Sequence, residues 1–184
     1  VSKASPTDEE LMQAYLAGDQ SAFESLFDRY ASRLEALMMR KVSRHEVAVE
    51  LVQQTFLQFH RARKDFDTSA KVRPWLYTIA LNLRRDHMRS APRRREHPTD
   101  EMPDRGQPNL DVTGAADRQL VHMALDELTD TLRVVVELHW FEELSFAEIS
   151  ETLDISKSAA KVRAHRAYEK MRTFISSKDV TAAD

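Results

Sequence analysis

Two groups of side chains in this chain have the type and spacing to hold a charged polymer, and none has the type and spacing to break a covalent bond. Between 157 and 172, Lys157, Lys161, Arg163, Arg166, Lys170 and Arg172 stand against the single acid Glu169. A second cluster gathers Arg84, Arg85, Arg89, Arg93, Arg94 and Arg95. Such density of Lys and Arg attracts phosphate, and the planar fork of an arginine can also read a base edge. The stretch 116–154 is the reverse, with ten acids and two bases, so the formal net charge of −3 averages unlike patterns. A charge map this segregated can steer two patches onto a nucleic acid while other faces meet protein. A solvated helix face would give either cluster alone.

Seven histidines and thirty acids could sound catalytic. No His-x-x-x-His with a glutamate, no glycine-rich loop and no nucleophile elbow occurs among them. There is no cysteine, so disulfides and thiolate metal sites are excluded. No enzyme activity, cofactor or metal is expected. No apolar run is long enough to cross a bilayer, and the opening VSKASPTDEE lacks the apolar centre of a secretion signal. The expected place is the cytoplasm.

The elements that must position the cations read as helices. Apolar residues make up 42% of the chain, enough for cores, and only three glycines and six prolines interrupt it. The expected class is all-α, in two small domains. Residues 91–115 hold four prolines and two glycines and almost no large apolar side chain, which predicts a flexible linker. It separates a domain over 1–90 from one over 116–176, followed by a disordered tail over 177–184.

Four helices are predicted in the first domain. Thr7 with Glu10, Ser21 with Glu24 and Ser43 with Glu46 have capping-box spacing at the start of three of them. Their apolar faces carry Leu11, Tyr15 and Leu16; Phe23, Leu26, Phe27, Tyr30, Leu34 and Leu37; and Val47, Leu51, Val52, Phe56 and Phe59. Phe66 to Ser69 breaks the period and predicts a loop. A fourth helix over 72–90 follows, with Trp75, Leu76, Ile79, Leu83 and Met88 on one side, Trp75 reading as core.

Four more helices are predicted near 116–127, 131–140, 146–153 and 157–174. Ser145 with Glu148 is a fourth capping box. Val134–Val135–Val136 favours strand in isolation but is kept helical by its flanks. Leu132, Val135, Val136, Ile149, Leu153 and Ile155 are the expected core, extended by Tyr168, Met171 and Phe174. A short acidic helix running through a tight turn into a cationic one is a helix-turn-helix, with the second helix presented to DNA.

Together these stretches resemble the bacterial sigma-70 class of RNA polymerase sigma factors, in the reduced two-domain form called the extracytoplasmic function group. The resemblance is carried by Glu50 to Phe56, by Phe66–Asp67, and by Arg73 to Asn82. In the second domain it is carried by Leu128 to Arg133, Leu144 to Ile149 and Lys161 to Ala167. It implies a dissociable specificity subunit with no bond chemistry of its own. Its partners would be core RNA polymerase, promoter DNA and an anti-sigma protein, through which alone it would be held at a membrane.

The resemblance also implies roles. Glu50, Leu51, Gln53, Gln54 and Phe56 would grip the polymerase. The loop and helix bearing Phe66, Thr68, Ser69, Lys71, Asn82, Arg84, Arg85, Asp86 and Arg89 would take the −10 element as a flipped, unpaired strand, the arginines flanking its backbone. Ser156, Lys157, Ser158, Ala159, Lys161, Arg163, His165 and Arg166 would hold the −35 element as duplex, with Arg163 reading a base edge and Arg166 a phosphate.

This sequence departs from the family pattern at several places, among them Val47 to Val49, where acidic groups are usual, and Asp86, where an amide is often found. Gln54 stands where an acid is usual, Asp154 where the turn usually has glycine, and Ser158–Ala159–Ala160 where Gly–Thr–Val is usual. A retuned −35 preference or a modest affinity is the expectation. The same departures motivate a second reading, a sigma-like decoy that sequesters an anti-sigma protein without reading promoters.

Overall fold

The computed structural model describes the backbone of residues 5–90 and 115–181, and the side chains of 5–90 and 119–178. All regular structure in the described residues is helical, as expected from the composition. The chain divides into two compact units. The expected linker, with Arg93, Arg94 and Arg95, lies outside the described residues apart from Ala115.

The first unit is built from α1 (Asp8–Leu16), α2 (Gln20–Met39), α3 (His45–Ala62) and α4 (Val72–Ser90). The Thr7–Glu10 capping box forms in full. The other two boxes expected here do not form. Asp19 caps α2 instead, its carboxylate accepting from the Ser21 N–H at 2.9 Å, so the helix starts one residue before Ser21. Gly18, at φ 105°, supplies the left-handed turn that brings Asp19 into that position. At α3 the cap is Arg44, without a side-chain bond. The Val42 N–H closes on the Met38 carbonyl and its side chain is buried, so the chain enters α3 after Ser43.

The core of this unit is the predicted apolar stripe of each helix. Leu11, Tyr15, Leu26, Tyr30, Leu34, Leu37, Leu51, Val52, Phe56, Phe59, Leu76 and Ile79 are buried. Trp75 is half-buried, its ring 4.9 Å from Phe59 and 4.7 Å from Phe66. Leu16, Phe27 and Met88, expected on buried faces, are exposed. Asp8 ties α1 to α2, taking hydrogen bonds from Arg29 and from the Tyr30 hydroxyl. Burial and this carboxylate push the Tyr30 phenol well above its ordinary pKa.

In the second unit, α5 (Ala115–Asp126) leads to α6 (Asp130–Val136), a π-helical turn (Glu137–Phe141), α7 (Phe146–Leu153) and α8 (Lys157–Thr181). The three-valine run is helical, and the Ser145–Glu148 box forms. Val135, Val136 and Ile149 are buried as expected, whereas Leu153 and Ile155 are only half-buried. Much of the core is supplied by α5 and its end, through Val121, Leu125 and Leu128. The expected disordered tail over 177–184 needs correction, since α8 continues to Thr181 and 182–184 lie outside the described residues. No glycine or proline follows Phe174, so nothing in the local chemistry stops the helix where 174 was predicted.

Candidate nucleic-acid interface

The α7–α8 turn decides whether a helix can be presented to a duplex at all. Asp154 adopts the left-handed conformation, φ 49° and ψ 54°. Its N–H and that of Ile155 close on the carbonyls of Glu151 and Ser150, at 3.5 and 3.1 Å, the double bond of a Schellman end. Aspartate tolerates this region better than most residues. The turn therefore keeps its geometry without the glycine. Ser156 then caps α8, its Oγ accepting from the Ala159 N–H at 3.1 Å.

From that cap α8 runs with one face inward and one outward. Ala160, Ala164 and Ala167 are buried against the unit. Lys157, Ser158, Lys161, Val162, His165 and Arg166 are exposed, while Ala159 and Arg163 are half-buried. At 3.6 residues per turn, Arg166 lies on the outward face, and Arg163 about 60° further round at its margin. The structure thus brings the expected residues to one helix but spreads them over its surface. No ion pair to a described residue forms at Lys157, Lys161, Arg163 or Arg166. The cationic face ends at Glu169, which pairs with Arg172 at 2.8 Å.

A buried ion network ties α5 to α6 in the same unit. Arg133 Nε donates to Glu137 at 2.9 Å, and Nη1 donates to Asp126. Glu137 is fully buried and Arg133 nearly so. Desolvation would lower the Arg133 pKa, but Glu137 and Asp126 outweigh it and the value is raised. Arg133 is thus a structural cation, and nothing in the acidic stretch around Glu137 marks that residue as its buried partner.

In the first unit the loop 66–71 is pinned from within. Asp67 accepts from both the Ser69 N–H, at 2.9 Å, and the Ser69 hydroxyl, at 2.8 Å. Those bonds hold the Asp67 carboxyl below its ordinary pKa. Thr68 and Ser69 are exposed, Phe66 packs on Trp75, and Lys71 lies 3.8 Å from Glu9 of α1. Asn82, Arg85, Asp86 and Arg89 are exposed on the C-terminal half of α4. Asn82 lies about 16 Å along the chain axis from Lys71, at 1.5 Å per residue. Arg85 donates to Asn82 at 3.0 Å, and Arg89 pairs with Asp86, so that acid is neutralised locally.

Arg84 must be taken out of the cationic flank. It is 7% exposed, and its Nη1 donates to the Leu37 carbonyl at 2.9 Å. The reason is its place on the helix. Val72, Leu76, Ala80 and Arg84 follow at four-residue steps, and all four are buried.

On α3, Glu50, Gln53 and Gln54 share an exposed face, and Gln54 Nε2 donates to Glu50 at 3.0 Å. Leu51 and Phe56 are buried, so they can serve a partner only by fixing the helix. Leu57, which the sequence reading missed, is 48% exposed on the same face. Its i+3 and i+4 spacing from Gln54 and Gln53 was a usable signal.

Two family models match the chain, sigma-70 region 2 over residues 26–94 and sigma-70 region 4 over residues 118–171. The chain belongs to the sigma-70 family of sigma factors. Within it, the chain falls in the extracytoplasmic function (ECF) group, to which its sigma-E relatives belong. This sigma factor is 36% identical over 180 residues to RNA polymerase sigma factor CarQ of Myxococcus xanthus, covering 94% of this chain and 99% of that protein. It is 27% identical over 183 residues to the ECF RNA polymerase sigma-E factor of Haemophilus influenzae, covering 92% and 95%. Among solved structures it is similar to CnrH in complex with the cytosolic domain of CnrY, with TM-score 0.72 and 25% identity over 92% of this chain and 97% of that one. The fold also matches sigma factor RpoE of Bartonella quintana, solved with the anti-sigma factor NepR, with TM-score 0.67, 20% identity and coverage of 84% and 96%. Sigma factors are not enzymes, which agrees with the missing catalytic constellations. Among the described residues no helix is long and apolar enough to cross a membrane.

Proposed function

We propose that this sigma factor binds core RNA polymerase and directs initiation at specific promoters, with α8 holding the −35 element as duplex. The observation that carries the reading is the outward face of α8. Its cations pair with no described residue, and they sit beyond an intact turn on a helix whose other face is buried. The exposure of Arg166 and the half-burial of Arg163 favour Arg166 as the base reader and Arg163 as the phosphate contact, the opposite of the division expected from sequence.

The −10 strand is assigned to the loop bearing Phe66, Thr68, Ser69 and Lys71 and to Asn82, Arg85 and Arg89 on α4. The polymerase contact is assigned to the α3 face of Glu50, Gln53, Gln54 and Leu57. An anti-sigma protein is the proposed inhibitory partner, supported by the family and by the capture of CnrH with another protein's cytosolic domain.

Run-off transcription with core polymerase on a promoter library tests the whole reading. Specific transcripts are expected, and Gln53→Lys with Gln54→Lys should weaken holoenzyme assembly while leaving the helical circular dichroism intact. A phosphate contact removed by Lys161→Ala or Arg163→Ala should lower the salt slope of binding by nearly one. Binding of an anti-sigma protein without any promoter-specific transcript would instead favour the decoy reading.

A further inference from the structure

Among the described side chains of α8, Val162 is the most exposed large hydrophobic, at 47%. Its position is the notable part. Ala160, Ala164 and Ala167 define the buried seam, and at 100° per residue Val162 lies about 190° from the middle of that seam. It therefore occupies the centre of the outward face. Ser158 is one turn before it, and His165 and Arg166 are one turn after; Lys161 adjoins it. All four neighbours are exposed hydrogen-bonding groups. Valine is an indifferent helix former, and here nearly half of it stays exposed.

We propose that Val162 is a specificity-determining residue that contacts the C5-methyl group of a thymine in the major groove of the −35 duplex. The inference rests on the assignment of α8 to that duplex. A central outward position in the second turn of a recognition helix meets base edges, while margins such as Arg163 meet phosphate. The thymine methyl is the one apolar feature that a base pair presents in the major groove. A branched aliphatic side chain ringed by donors complements that feature and has no hydrogen bond to offer any other base. Glu169 lies on the same face two turns beyond Val162, so the approach to phosphate ends there and the contact falls in the N-terminal half of α8.

The test uses the full chain assembled with core polymerase. A −35 element is first selected from randomised duplexes, and each thymine in it is then replaced singly by deoxyuridine, which lacks only the methyl. One replacement should weaken wild-type binding about fourfold, the worth of one buried methyl-sized group. Val162→Ala should bind the thymine duplex about as weakly as wild type binds the deoxyuridine duplex, and should no longer distinguish the two. Its salt slope should equal that of wild type. If no replacement matters, or if Val162→Ala keeps the same discrimination, the proposal is overturned while the assignment of α8 stands. If wild-type holoenzyme selects no −35 element, or if Lys161→Ala and Arg166→Ala bind as wild type does, the assignment itself fails and takes the proposal with it.

Discussion

The Arg84 guanidinium donates to the carbonyl of Leu37, 2.9 Å away and 47 residues earlier in the chain. Leu37 lies in the last turn of α2, where carbonyls lack intrahelical partners and where the helix dipole favours a cation. Removing the side chain leaves a buried acceptor with one partner fewer and opens a gap. Arg84→Ala is expected to destabilise the first unit by about 1–3 kcal/mol. Arg85→Ala, one residue on but exposed, should change stability by less than about 0.5 kcal/mol. Urea denaturation followed by Trp75 fluorescence in a Trp140→Phe background separates the two. Equal stability of the two variants would return Arg84 to the surface.

The loop that carries Thr68 and Ser69 should be sensitive to acid. Hydrogen bonds from the Ser69 N–H and hydroxyl hold the Asp67 carboxyl below its ordinary pKa in the folded state. A depressed carboxyl contributes stability that is complete above its unfolded value and is lost as pH falls through its folded value. The Ser69 amide signal in NMR should therefore stay constant down to about pH 4 and shift only in more acid solution. Asp67→Ala should abolish that titration and release the amide to exchange at neutral pH.

Asp154 sustains a left-handed backbone that glycine would adopt more cheaply. Asp154→Gly is expected to raise the stability of the second unit by about 1 kcal/mol. Asp154→Val should lower it, because a β-branched side chain suits positive φ least. Thermal unfolding of both variants, monitored by circular dichroism, gives the sign of each change.

Glu137 and Arg133 form a buried pair whose members depend on each other. Glu137→Ala leaves the Arg133 charge buried with Asp126 at the rim, at an expected cost of about 3–5 kcal/mol. Replacing both, as Arg133→Met with Glu137→Leu, should recover most of that loss. Trp140 fluorescence during urea titration in a Trp75→Phe background reports the second unit. A double variant as unstable as Glu137→Ala would mean that packing at this place matters more than charge.

Much of this protein was legible along the chain. Helix class, the two units and the α-helices among the described residues follow from apolar period and from caps such as Thr7–Glu10 and Ser145–Glu148, which act over three or four residues. The cationic character of α8 is equally local. So is the tolerance of the turn for Asp154, because one residue's own φ and ψ decide it.

What sequence could not decide is which member of a charge run faces inward. Arg84 and Arg85 are the same residue type in adjacent positions, yet one is buried and the other exposed. The 100° between neighbours on a helix, together with the carbonyl that α2 happens to offer, separates them. The same holds for Glu137 in its acidic stretch and for Val162 in its cationic one. Asp19 displaced Ser21 as a cap because two candidates competed for one helix end. Composition and spacing determined which groups this sigma factor has and on which helices they lie. Only packing decided which of them spend their charge on the core and which keep it for a partner, because burial strips a charge of water and forces it to find a neighbour from elsewhere in the chain.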